Sequence, residues 1–189
     1  APIVADVKQL HRLQGVRADV ALTLLDGKRD LGSTYGNMMF TKTGFSGPAA
    51  MDLSHAISTR PGCRLTLSID LLARHKATFL EQLALARGRA VPLSVVLGGI
   101  LAPKIAPALI PMAGLPAGVR VSELSDDDAG RLIRQLTHLR VPVKGTGDFD
   151  AAQVSVGGVP VREVVPETMA SRILPGLHVA GEVLDVAGP

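Results

Sequence analysis

Residues 16–40 read VRADVALTLLDGKRDLGSTYGNMMF. Apolar side chains fall on every second position at Val16, Ala18, Val20, Leu22 and Leu24, the period of a strand with one face buried. Asp26 and Gly27 supply a tight turn. Residues 30–40 supply the partner strand, with Gly32 and Gly36 as expected bends or bulges. The expected element is a long antiparallel hairpin.

Working outward, residues 2–7 form a short apolar strand candidate, and residues 63–71 alternate again at Cys63, Leu65, Leu67 and Ile69. Between these strands, residues 41–48 read as a Thr-, Gly- and Ser-rich loop, with Pro48 opening a helix that runs to Ile57. Ser46 or Gly47 stands before Pro48 at the start of that helix, and Ser46 is read as a cap. It is not a nucleophile elbow, because Pro48 occupies the place where that motif needs its second glycine. Cys63, the one cysteine of the chain, reads as a small apolar filler.

After Asp70 the period changes from two to that of a helix. Phe79, Leu80, Leu83 and Leu85 mark one helix, and residues 91–112 mark helical pieces broken by Pro92, Pro103, Pro107 and Pro111. Ser125 caps a further helix, whose opening carboxylates Asp126, Asp127 and Asp128 sit where the helix dipole favours negative charge. That role accounts for the acidic run, and no metal site is expected. Strand periodicity returns at Val141 and Val143 and again over residues 152–156, with a turn expected at Gly145 and Gly147. A lone GxG without a following helix is too weak to be a phosphate loop.

The expected fold class is α+β: a small antiparallel β-barrel built from both flanks of the chain, with an inserted helical lobe. The expected domains are a discontinuous barrel over 1–70 and 140–165, a lobe over 71–139, and a separate segment over 166–189.

Composition excludes several classes. Hydrophobic residues make up 47% and charged residues 20% of the 189, enough for a core and too apolar for global disorder. Aromatic residues are only 3%, so base-stacking platforms are disfavoured. The net charge is +3, and Lys and Arg are scattered along the sequence, with no basic run to follow a phosphate backbone. The expectation is therefore no nucleic acid. Residues 90–119 carry a single charge, Lys104. The prolines interrupt that stretch too often for a membrane span, so no membrane is expected either. One cysteine and no recognisable leader suit the cytoplasm. The chain starts without Met at a strand-like segment and stops after Gly188 and Pro189. The expectation is a piece of a longer protein.

The last fifth of the chain holds the candidate binding residues. Gly157 and Gly158 follow an alternating run, where backbone can come close to a partner. Residues 177–180 read as a short buried strand that stops at Gly181 and Glu182, a place where a carboxylate could meet a ligand hydroxyl. An ordinary turn and an ordinary strand end explain the same pattern.

Five segments occur in order: GNMMFTKTGFSGP at 36–48, SIDL at 68–71, AQVSVGGV at 152–159, PETMAS at 166–171 and PGLHVAGEVLDVAG at 175–188. In order and spacing they resemble the aminoacetone-oxidase-type family of NAD(P)/FAD-dependent oxidoreductases, a group of bacterial flavoproteins. Ser155 and Ala187 depart from that pattern, which usually has Thr and an acidic residue there. The family's N-terminal G-x-G-x-x-G fingerprint, which would cradle the FAD pyrophosphate, is not present in this sequence.

The resemblance implies that the chain is the insert region, on the substrate side, of a FAD-dependent oxidoreductase. It implies FAD as the cofactor of the full-length parent, bound poorly or not at all by this chain alone, with NAD(P)H as a candidate reductant. It implies cofactor-binding roles for Gly157, Gly158 and Val159 near the isoalloxazine, for Glu182 at the ribityl chain with Asp185 as the second candidate, and for Gly181 beside them. No catalytic residue is assigned. The implied partners are the rest of the FAD-binding domain and a small-molecule substrate. An alternative from a different class is a stand-alone barrel and helical module that binds a protein or nucleic acid.

Overall fold

The computed structural model describes residues 1–148, 150, 152 and 157–186. The chain divides into two compact units, Ala1–Ala151 and Ala152–Pro189.

The first unit is built on a closed antiparallel barrel of β1 (Ile3–Ala5), β2 (Arg17–Asp26), β3 (Arg29–Phe40), β4 (Gly44–Ser46), β5 (Leu65–Asp70) and β6 (Leu139–Thr146). The order around the barrel is β1-β4-β3-β2-β5-β6, and β6 pairs with β1 to close it. The fold class is α+β, as the alternation implies. Val20, Leu22 and Leu24 on β2, Met38 and Phe40 on β3, and Leu65, Leu67 and Ile69 on β5 are all buried, so the period-two positions face the barrel interior.

Gly32 and Gly36 do different work from each other. Gly32 (φ 154°) lies beside the register shift at Leu24/Leu25, the expected bulge. Gly36 pairs regularly with Val20. A Cβ there would stand 3.6 Å from the Ala49 Cβ, so its missing side chain gives room to the helix that lies against β3. That helix, α1 (Pro48–Ser58), buries Ala49, Ala50, Leu53 and Ile57.

Residues 41–48 are not simply a loop. They contain β4, the staple between β1 and β3. Gly44 pairs with Val4, and a Cβ on it would lie 2.0 Å from the Ile3 carbonyl oxygen. Barrel closure therefore demands glycine at this position. Phe45 is fully buried and meets Phe40 edge-on, with ring centroids 5.6 Å apart at 71°. Ser46 lies on β4 opposite Met39 and is not the helix cap. The cap is Gly47 (φ 95°), whose Cβ would meet the Asn37 carbonyl oxygen at 2.8 Å. Cys63 is an exposed thiol in the approach to β5, not a filler.

The lobe comprises α2 (Lys76–Ala86), α3 (Leu93–Gly98), α4 (Ile105–Met112) and α5 (Asp126–Thr137). In α2 the i, i+4 pair Phe79 and Leu83 is buried, while Leu80 and Leu85 project to solvent. The nearly uncharged stretch folds as α3 and α4, which bury Leu93, Leu97, Ile105, Leu109 and Ile110. Among the described residues, no helix is long and apolar enough to cross a membrane.

Ser125 caps α5. Its Oγ accepts from the Asp128 N–H at 3.1 Å, and the Asp128 carboxylate accepts from the Ser125 N–H at 3.1 Å. Asp126 pairs with Arg87 of the segment after α2. Ala129, Leu132 and Leu136 bury one face of α5. The Leu136 carbonyl accepts from the Leu71 N–H at 2.9 Å, joining the end of β5 to the lobe. The turn expected at Gly145 and Gly147 is instead largely strand. β6 runs through Gly145 (φ 148°) to Thr146, and the register shifts between Val4 and Ala5 opposite it. A glycine at a bulge carries the same sequence signature as one in a turn.

Candidate functional site

The candidate binding residues all lie in the second unit, Ala152–Pro189. The run at 153–156 lies outside the described residues. Gly157, Gly158 and Val159 are brought against Gly181 to Asp185 by one parallel bridge, Val159 to Leu184. The Val159 N–H donates to the Val183 carbonyl at 2.8 Å, and the Asp185 N–H donates to the Val159 carbonyl at 2.9 Å.

The two adjacent glycines have separate physical reasons. A Cβ on Gly158 (φ 153°) would lie 2.3 Å from the Val183 carbonyl oxygen and 3.1 Å from the Asp185 nitrogen. Gly158 is thus required by packing within the unit. Gly157 (φ 98°) has no heavy atom within 4 Å of its Cβ position, and neither does Gly181 (φ 82°). Both adopt a backbone conformation that side chains disfavour, and both leave a face of the chain open. The Leu184 N–H donates to the Gly181 carbonyl at 3.2 Å, so Glu182 and Val183 form the corner of a turn. Glu182 and Asp185 are exposed, and among the described residues neither makes an ion pair.

Residues 177–180 do not form a buried strand. Leu177 is 45% exposed, and the segment is tied by one antiparallel bridge, His178 to Ala170. The Ser171 N–H donates to the Leu177 carbonyl, and the Val179 N–H to the Met169 carbonyl, each at 2.8 Å. Apolar composition suggested burial, but the described residues offer these side chains no sheet to join. Met169 is one residue that spacing did not single out. It holds a left-handed φ of 58°, unusual for a non-glycine residue, and its N–H closes a turn onto the Val165 carbonyl at 2.7 Å.

The arrangement has the chemistry of an exposed wall. Open backbone at Gly157 and Gly181 can approach a flat ligand, and two carboxylates can accept hydrogen bonds from hydroxyl groups. Residues 1–154, which cover the barrel and the lobe, match the family described as HI0933-like protein barrel and H2TH domain.

The chain belongs to this family. The HI0933-like family is related to the FAD-dependent oxidoreductases, in agreement with the resemblance drawn from the five motifs. Among curated relatives, the HI0933-like chain is 30% identical over its whole length to a 3-dehydro-bile acid delta(4,6)-reductase of Clostridium scindens, covering 49% of that protein. It is 35% identical to a ribosomal RNA dihydrouridine synthase of Escherichia coli and 29% identical to one of Haemophilus influenzae. Each match spans 96% of the chain and 43% of the relative. The chain thus spans less than half the length of these relatives.

Proposed function

We propose that this chain is the substrate-side barrel and lobe of a FAD-dependent reductase, joined to the start of that enzyme's C-terminal FAD-binding segment. In this reading the barrel and the lobe make up the first unit, Ala1–Ala151, and the second unit, Ala152–Pro189, belongs with the FAD-binding domain, its partner in the parent. The parent works in the cytoplasm, where the exposed Cys63 thiol stays reduced.

The observation that carries the reading is the chemistry shared by the relatives' names. A delta(4,6)-reductase and a dihydrouridine synthase both saturate carbon–carbon double bonds in a ring. The proposed reaction is the addition of two hydrogens across such a bond, one as hydride and one as proton. A bound flavin would supply the hydride, and the protein would supply position and electrostatics. The second unit's residues fit one edge of a flavin site. Gly157 and Gly181 leave backbone open to a planar ring, Gly158 and Val159 hold that backbone against residues 183–185, and Glu182 and Asp185 accept from ribityl hydroxyls. NADH or NADPH is the proposed source of the electrons. The relatives divide over what carries the ring, a 3-dehydro-bile acid or ribosomal RNA.

The test is spectroscopic. The purified 189-residue chain is expected to show no stoichiometric flavin band, whereas the full-length parent shows one and bleaches it on addition of NADH or NADPH. Gly157→Val in the parent is expected to lower flavin occupancy without unfolding the barrel. A parent that purifies without flavin, and takes up none on incubation with FAD, would overturn the reading.

A further inference from the structure

Three adjoining concavities line one side of the barrel and lobe. The first is lined by Arg131, Arg134, His138 and Arg140. The second shares Met112 and Arg140 with the first and adds Lys8. The third shares Asp6 and Lys8 with the second and adds His11, Lys42 and Lys144. Shared walls make them one groove. Lys and Arg contribute six side chains to it and carboxylates only one, Asp6. The whole chain nets +3, so the groove holds more positive charge than the molecule as a whole, and the remainder is net negative.

The local structure explains the gathering. Arg131 and Arg134 stand three apart on α5, away from the buried Leu132 and Leu136, and so share its exposed face, and His138 is the residue that ends the helix. Arg140 and Lys144 are both exposed on β6, Lys144 at the register shift opposite Val4 and Ala5. Lys8 and His11 come from the short 3-10 turn after β1, and Lys42 from the connection into β4. All of these side chains are exposed. Arg131 is paired with Asp128. Among the described residues, Lys8, Lys42, Arg134, Arg140 and Lys144 form no ion pair.

Cations spread singly over a surface serve solubility. Cations collected in a concave track of one sign focus the field and attract a polyanion. By the rise of a strand, Arg140 and Lys144 alone stand about 13 Å apart along β6, room for more than one phosphate of one strand. A ligand with one carboxylate has no use for that many cations. We propose that this groove binds the phosphate backbone of RNA. The choice of RNA over DNA rests on the reading above, in which one carrier of the reduced ring is RNA. Scarce aromatic residues argue that the contacts are to phosphate and sugar and are not stacking.

The test is fluorescence anisotropy of the 189-residue chain with a labelled single-stranded RNA oligonucleotide. Binding is expected to saturate and to weaken linearly with log salt. The triple variant Arg134→Glu, Arg140→Glu, Lys144→Glu is expected to lose at least about tenfold in affinity and to flatten the salt slope by about 2. Lys28→Glu, Arg29→Glu, Arg89→Glu makes the same charge change on exposed residues outside the groove, and is expected to stay within about twofold of the parent chain. Circular dichroism checks that both variants are folded.

Equal losses in the two variants would show non-specific attraction and overturn the proposal. So would absence of binding, a DNA strand of the same sequence bound as tightly, or equal competition by polyglutamate. A parent without flavin would remove the reductase reading and leave this binding result standing.

Discussion

Gly44 and Gly158 solve the same steric problem in the two units. Each lets one segment lie against a neighbouring carbonyl that a Cβ would strike, at 2.0 Å from Ile3 and at 2.3 Å from Val183 respectively. What stands behind the two contacts differs. Gly44 closes a barrel whose interior holds Phe40, Phe45, Leu22 and Leu67, all buried. Gly158 supports a single bridge in a unit where Val164 is the buried hydrophobic among the described residues, while Ile173, Leu174 and Val186 are more than half exposed. The first unit carries its own core. The second presents apolar side chains that burial elsewhere would stabilise.

The sharpest way to break this contrast is Gly44→Ala. Its Cβ collides with backbone on the pairing strand, so relief requires β1 and β4 to part. The expected cost is about 4 kcal/mol or loss of the folded state, read from urea denaturation. A variant of unchanged stability would mean that closure at β1 and β4 does not hold the barrel together.

Next is a pair of matched truncations. Leu22→Ala removes a fully buried side chain and is expected to cost about 3 kcal/mol. Leu174→Ala removes one that is 58% exposed, and is expected to move global stability by less than about 0.5 kcal/mol. Comparable losses in the two variants would show that Leu174 is buried in solution and would erase the distinction between the units.

Gly158→Ala tests the second contact locally. The Asp185 amide, bonded to the Val159 carbonyl, is expected to lose hydrogen-exchange protection. The barrel's denaturation midpoint is expected to stay where it was. A shifted midpoint would mean that the two contacts belong to one cooperative unit.

The same contrast governs how much the sequence reveals. The barrel was legible because burial on one face imposes a period of two, and Val20, Leu22 and Leu24 display it without interruption. The Ser125 cap was legible because hydroxyl and carboxylate spacing determines a helix start. Gly145 was misread because a glycine needed at a bulge and one needed in a turn share the same requirement. Residues 177–180 carry the apolar pattern of a strand, but composition reports apolarity and not whether a sheet is present to receive it, and here Leu177 is left exposed. Gly157 and Gly158 look equivalent in sequence, yet only Gly158 is demanded by a neighbouring backbone. The basic groove was invisible for a different reason. Its cations lie at positions 8, 42 and 131–144, and only closure of β6 onto β1 and packing of α5 beside it bring them together. The expectation of no nucleic acid rested on that scatter along the chain and on the scarcity of aromatic residues.

Within the first unit a smaller effect than that of core truncation is expected at the surface, at the cap of α5. Ser125→Ala removes the Oγ that accepts from the Asp128 N–H, at an expected cost of about 1 kcal/mol. Hydrogen bonds from the Ser125 side chain, then from its backbone N–H, hold the Asp128 carboxyl below the ordinary aspartate range, and Arg131 adds to this. A carboxyl whose pKa is lower in the folded state contributes stability above its unfolded pKa and loses it as pH falls through the folded one. The gap in denaturation midpoint between the parent chain and Ser125→Ala is therefore expected to be widest at neutral pH. It should narrow on acidification from the ordinary aspartate pKa downward. A gap that is constant with pH would assign the whole effect to the hydroxyl accepting from the helix N–H, with the Asp128 carboxylate taking no part in the cap.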